Sequence, residues 1–324
     1  MKNPSLIAAF ALLAGCATNA SPLPGPVQTP IIAVGGTPCD PPMVVPPSIV
    51  ASVRSAFEEG RTGPRPAITP EDGAAYQKMQ EQQRTKDWAA LCYFRADNKA
   101  LATQPIPADR VVFMGDSITQ SWTLAHPDFF TTARVSRGIS GQTTPQMLLR
   151  FRSDVLALKP AAVHILAGVN DIAGNTGPTT LEEIENNIAS MVELAKIHGV
   201  KVILATPLPA AKFNWAPQLN PREAVIAYAD WIRRYAADQD LVLAEYFAPM
   251  ATADGAMKPE LTLDGIHPNK AGYNVMEPIT QAAIAKALAH ESKLLVLDEP
   301  TATLTSKEVD RLFEILRRLK ARNV

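Results

Sequence analysis

Val111-Val112-Phe113-Met114-Gly115-Asp116-Ser117-Ile118-Thr119 is the stretch that decides the architecture. Four apolar residues without polar alternation read as a strand buried on both faces. Gly115 lets the backbone turn tightly, and Asp116 and Ser117 then lead into a helix. Similar runs recur at 162–166, ending at Gly168, at 200–204 and at 241–243, with a weaker one at 133–135. Helix signals lie between them. Thr144 precedes Pro145 as an N-cap before a first-turn proline, and Thr180 with Glu183 forms a capping box. The helix over 182–198 stops at Gly199. Strands alternating with helices predict an α/β three-layer sandwich around a parallel five-stranded sheet. Ligands of such sheets bind beyond the carboxyl ends of the strands, so chemistry is expected just after 114, 167, 205 and 243.

Ser117 occupies the first of those places, where a strand-to-helix turn exposes a hydroxyl at the sheet edge. A serine hydroxyl is a poor nucleophile until a base takes its proton. Asp264-Gly265-Ile266-His267-Pro268-Asn269 offers that base. An acid three residues before a histidine can turn back on one loop to fix the tautomer and stabilise the imidazolium.

Four blocks in order then resemble the SGNH (GDSL-type) hydrolase family. They are Gly115-Asp116-Ser117, Gly138-Ile139-Ser140-Gly141-Gln142-Thr143, Gly168-Val169-Asn170-Asp171, and the segment from Asp264 to His267. The resemblance covers about 108–290 and implies a flavodoxin-like fold. It also implies a serine esterase acting on short-chain carboxylic esters, acetyl esters of carbohydrates among them, with no cofactor. Carried over, Ser117 is the nucleophile, with Asp264 and His267 completing a triad. The Ser117 and Gly141 N–H groups and the Asn170 side-chain amide form the oxyanion hole. Each such donor contributes roughly 3–4 kcal/mol to the transition state. Val169 departs from the family, where threonine is frequent at this position. A thioesterase or lysophospholipase on the same site is an alternative. So is a non-catalytic glycan-binding lipoprotein, although a binding module has no use for all five residues.

Other residues have competing readings. Ser140 lacks the Gly-x-Ser-x-Gly spacing of a nucleophile elbow. His164 reads as a core histidine, His198 as a helix-end residue, and His126 and His290 have no acidic partner at useful spacing. Asp116 and Asp171 read as turn-bonding carboxylates, and Asn170 alone would read equally as a turn former. Trp122, one to two helical turns beyond Ser117, is a substrate-pocket candidate. Phe213 and Trp215 are two more, in a proline-rich loop over 206–221, where local surface packing is the other reading.

Outside the hydrolase-like stretch the chain divides by composition. Lys2 and an apolar run over 6–13 lead into Leu13-Ala14-Gly15-Cys16, which resembles a bacterial lipobox with Cys16 as lipidation site. Residues 1–16 are thus expected to be a lipoprotein signal of a bacterial envelope protein, periplasmic or at the outer membrane. The membrane is met through the lipid anchor alone. Residues 17–70 form a Pro-rich tether with a short helix, and 71–290 the hydrolase domain with an N-terminal helical extension. One helix is expected over 71–98, with Trp88, Leu91 and Phe94 at helical spacing. Cys39 and Cys92 are either a disulfide or two free thiols. No metal-ligand spacing occurs. With 31 basic and 32 acidic residues among 324, nothing attracts nucleic acid, and a small-molecule or glycan ester is the expected partner. Residues 291–324, with Leu294-Leu295-Val296-Leu297-Asp298-Glu299-Pro300 at their start, resemble a fragment of a sugar ABC-transporter ATPase. No phosphate-cradling Gly-x-x-x-x-Gly-Lys-Ser/Thr loop accompanies them. A packed strand-helix extension is the other reading of this tail.

Overall fold

The computed structural model describes residue 39, residues 44–58 and 64–289, and residues 313 and 317. All lie in the second of two units, Pro38–Val324. The Cys16 lipobox, most of the tether and, apart from residues 313 and 317, the ATPase-like tail fall outside the described residues.

Within the first part of the described chain come α1 (Pro47–Arg54), α2 (Pro70–Lys86), α3 (Arg95–Ala102), β1 (Val111–Gly115), α4 (Ser117–Ala125), β2 (Arg134–Gly138) and α5 (Thr144–Asp154). Then follow β3 (Ala162–Leu166), a short α6 (Val169–Ile172), α7 (Leu181–Ile197), β4 (Lys201–Ala205), α8 (Arg222–Asp238), β5 (Val242–Ala244), a short α9 (Phe247–Met250) and α10 (Lys270–Leu288). The five strands are parallel, in the order β2-β1-β3-β4-β5. This is the expected α/β sandwich, and the strand side chains alternate between its two cores. Val112, Met114, Val163, Ile165, Val202 and Leu204 face one way, into a core with α5, α7 and α8. Val111, Phe113, Ala162, Ile203 and Ala205 face the other, into a core with α4 and α10.

Register positions the site. Gly115 lies level with Gly138 on one side and Leu166 on the other, so β1, β2 and β3 end in one row. Whatever follows each strand emerges at one edge. Close packing there demands glycine: a Cβ on Gly138 would lie 2.3 Å from the Gln120 nitrogen and 2.8 Å from the Asp116 carbonyl oxygen. Arg150 of α5 braces the same row from below. Fully buried, it donates to the carbonyls of Gly115 (3.2 Å) and Arg137 (2.8 Å) and pairs with Asp154 at 3.1 Å.

Two local expectations are corrected. The N-cap of α5 is Thr143, in a capping box with Gln146, while Thr144 is the first helical residue and donates its hydroxyl to Asp171. The single helix over 71–98 is two helices. Between them the Asp87 carboxylate accepts the N–H groups of Leu91 and Cys92 at 2.9 and 2.8 Å, and Ala90 takes φ +57°. Such side-chain bonds compete with helical ones, so the chain turns and Trp88 and Leu91 stand exposed. The short helix before residue 71 also packs on the domain. Phe57, just after α1, is buried against Tyr273 with ring centroids 5.8 Å apart. A disulfide joins Cys39 to Cys92, fastening the chain before α1 to the turn after α2.

Candidate active site

The row of strand ends delivers three of the four blocks. Ser117 is the first residue of α4, behind the N-cap Asp116, whose carboxylate accepts the Ile118 N–H at 2.9 Å. The first-turn N–H groups have no intrahelical acceptor and point toward the same edge. Gly141 follows β2 with φ +78°, in the left-handed region that suits glycine. Asn170 follows β3 in α6, after Gly168 at φ +102°; a Cβ on that glycine would strike the Tyr228 ring at 2.5 Å.

The fourth block arrives on a loop before α10. Thr262 pins it, accepting the Gly265 N–H at 2.9 Å and donating its hydroxyl to the His267 carbonyl at 2.8 Å. The loop brings His267 Nε2 to 3.1 Å from Ser117 Oγ across 150 residues of sequence. His267 Nδ1 lies 2.8 Å from Asp264 Oδ2, and Asp264 Oδ1 accepts the N–H groups of Ile266 and His267.

Electrostatics follow from these contacts. Burial pushes the Asp264 carboxyl up, but hydrogen bonds from the His267 ring and backbone outweigh it and hold the group at about 2. Burial pushes His267 down, yet Asp264, helped by the charge of Asp116, carries it above the ordinary histidine value of 6.5. Asp116 is pushed up to about 6 by burial, against the Ile118 N–H and the charge of His267.

A second layer holds the Asn170 amide. Its Nδ2 donates to the Gln142 carbonyl (3.0 Å) and to Asp116 Oδ2 (3.3 Å), while its Oδ1 accepts from Asn175 Nδ2 (3.0 Å). Gln142 is held in turn by Arg150 Nε and donates to the Ala89 carbonyl at 3.1 Å. Sequence reading missed Arg150, Asn175 and Thr262. None belongs to a motif, and only Asn175, five residues past Asn170 in a glycine-containing turn, had a local signal.

The three aromatic pocket candidates part company. Trp122 is corrected: it is fully buried, stacked on Phe129 at 5.2 Å, because the inward face of α4 carries it into the core beneath the site. Phe213 is also fully buried and serves as the platform for Trp215, 5.2 Å away. Trp215 remains 45% exposed, its ring centroid 6.1 Å from that of His267, and its Nε1 donates to Asn175 Oδ1 at 3.1 Å.

The remaining histidines differ too. His164 is fully buried, with Nε2 2.9 Å from the Tyr246 hydroxyl, and burial pushes it down to about 3. His126, which has no acidic partner at useful spacing in the sequence, meets Glu277 of α10 through Nδ1. Among the described residues no group of three or more His, Cys, Asp or Glu is placed to hold a metal ion.

Residues 113–275 match the GDSL-like lipase/acylhydrolase family. A crystal structure of a GDSL-like lipase from Bacteroides thetaiotaomicron is 44% identical, with a TM-score of 0.60, covering 62% of this chain and 99% of its own. A galactose/methyl galactoside import ATP-binding protein of Shigella boydii is 35% identical over 178 residues, 52% of this chain and 33% of that protein. This chain spans about a third of the length of the import ATP-binding proteins it matches, a resemblance to a fragment. The lipoprotein YqeF of Bacillus subtilis is 29% identical over 139 residues, 37% of this chain and 57% of that protein.

Proposed function

Since the chain belongs to the GDSL-like lipase/acylhydrolase family, we propose that it is a carboxylic ester hydrolase that cleaves short-chain esters, carbohydrate acetates among them, with Ser117 as nucleophile. The observation that carries this reading is the line from Ser117 Oγ through His267 to Asp264, at 3.1 and 2.8 Å, on the edge where three strands end. His267 takes the Ser117 proton through Nε2 as Oγ attacks the ester carbonyl carbon. The carbonyl oxygen becomes an oxyanion facing the N–H groups of Ser117 and Gly141 and the Asn170 amide. Collapse of the tetrahedral species breaks the bond to the alcohol oxygen, which receives the proton from His267 and leaves. Water then repeats the sequence on the acyl-enzyme and regenerates Ser117. Asp264, kept ionised, orients the ring and stabilises the imidazolium.

Asn170 is buried at this edge, with its Oδ1 fixed by Asn175. Its Nδ2 already donates to the Gln142 carbonyl at 3.0 Å and to Asp116 Oδ2 at 3.3 Å, so it serves the oxyanion by exchanging the longer of these bonds for the developing charge. One assay tests both assignments. Hydrolysis of p-nitrophenyl acetate should fall by several powers of ten in Ser117→Ala and roughly a hundredfold in kcat, at little change in KM, in Asn170→Ala. Near-normal turnover by folded Ser117→Ala protein defeats the reading.

The same proposal sets the chain at a bacterial cell envelope, periplasmic or at the outer membrane, held by lipid on Cys16. The lipobox-like run and the likeness to a lipoprotein support this.

A further inference from the structure

Among the described residues, helix α2 is the one long element near the site whose presence the core does not explain. Over 17 residues it buries none, and its composition is polar all round. A helix of this kind, unsupported by an apolar face, is held by its ends. At its start Thr69 caps Asp72, and the Asp72 carboxylate accepts the Ser48 N–H at 2.8 Å. At its other end the Asp87 turn is locked by the disulfide and by two side-chain amides, one from the segment that carries Gly141 and one from the first turn of α5. Gln142 donates to the Ala89 carbonyl and Gln146 to the Trp88 carbonyl at 2.7 Å. Tyr93 adds a third tie through Gln120, which accepts the Ser140 N–H at 2.9 Å. The extension is thus fastened to the very loop that carries Gly141.

Between the two lies a cleft of about 410 Å³, within the range of small-ligand sites. Its walls include Gln80, Gln83, Arg84 and Trp88 from the extension, and Gly141, Asn175 and Thr176 from the hydrolase core. Amides and a hydroxyl there present both donors and acceptors. The Trp88 indole, 41% exposed, supplies a large, rigid, amphipathic surface at small entropic cost. That pairing suits a ring with hydroxyls at its rim and C–H groups on its face, and it does not suit an acyl chain. Asn175 joins the cleft to the triad: it holds Trp215 beside His267, the group that hands a proton to the leaving alcohol.

We infer that the cleft between α2, Trp88 and the Gly141–Asn175 wall is a glycosyl subsite, binding a pyranose of the substrate's alcohol part. A glycan running from Trp215 past Asn175 to Trp88 places its acylated hydroxyl at His267. This inference rests on the esterase reading above and adds that the extension, outside the family-matched residues, selects the alcohol.

Full-length protein is assayed on O-acetylated xylo-oligosaccharides and on p-nitrophenyl acetate, as wild type, Trp88→Ala and Gln80→Ala/Gln83→Ala. The expected result is at least a tenfold fall in the ratio of kcat/KM on the glycan to that on the small ester, carried by KM for the glycan. Trp88→Tyr should recover most of it. A ratio within twofold of wild type in the two α2 and Trp88 variants overturns the subsite. Should Trp88→Ala fail to fold, the double variant on the exposed helix decides alone. A wild-type enzyme that cleaves the small ester and ignores the acetylated glycan refutes the subsite and leaves the triad standing. One that cleaves neither refutes the esterase reading itself.

Discussion

His267 is where single residues set the working range. As a base it must be neutral, so activity rises as pH climbs through its pKa. Asp264 and Asp116 carry that value above 6.5, so the acid limb of kcat/KM is expected to have its midpoint above 6.5. Asp116 is itself pushed up to about 6, and is therefore largely ionised where His267 titrates. Asp116→Asn keeps an N-cap acceptor for Ile118 while deleting a negative charge near the imidazole. The limb should then move to lower pH, which a pH–rate profile on p-nitrophenyl acetate reads directly. An unmoved limb would mean that the Asp116 charge does not reach the imidazole. Asp171, also pushed up to about 6 by burial, accepts the Thr144 N–H and hydroxyl and faces the start of α5 rather than the triad.

The elements divide their surfaces between core and chemistry. Helix α4 offers Ser117 at its first turn and sends Ile118, Trp122 and Ala125 inward, the 3.6-residue periodicity of one buried stripe. Trp122 therefore matters to stability and not to substrate. Trp122→Ala should lower stability by about 3–5 kcal/mol, seen as a depressed melting temperature. Protein still folded at low temperature should keep its KM for p-nitrophenyl acetate. A raised KM with an unchanged melting temperature would return Trp122 to the pocket. The break between α2 and α3 belongs to the same scale. Helical spacing of Trp88, Leu91 and Phe94 was legible, but the Asp87 carboxylate bonds to Leu91 and Cys92 won locally, turning a would-be packing stripe into an exposed wall.

At the scale of the molecule, the hydrolase core closes on itself at α10, whose described length ends at Leu288. All five residues proposed for the chemistry lie before that point. Truncation after Ala289 should leave kcat/KM on a short ester within a few-fold of the full chain, and ATP should not bind either form. A folded but inactive truncation would tie the tail to the site. The other end of the chain is proposed to hold the enzyme at a membrane surface. Expressed in a bacterial host, the protein should partition with membranes, and Cys16→Ser should not; mass spectrometry of a processed chain with unmodified Cys16 would rule the anchor out.

Some of this was written in the sequence because its physical cause is local. Unbroken apolar runs make strands buried on both faces, capping boxes start helices, and glycines end strands. Those signals suffice for a parallel α/β sheet and for Ser117, Gly141 and Asn170 at its edge. Asp264 and His267 were legible together because one short loop holds both. Only tertiary structure decided the rest. No spacing relates His267 to Ser117 across 150 residues, or His126 to Glu277 across 151. Whether an aromatic residue is core or cleft depends on what packs over it, and so Trp122 and Phe213 are buried while Trp215 stays at the rim. Trp88 lies against the segment that carries Gly141 because Gln142, Gln146 and the disulfide hold its turn there, long-range contacts that no local spacing encodes.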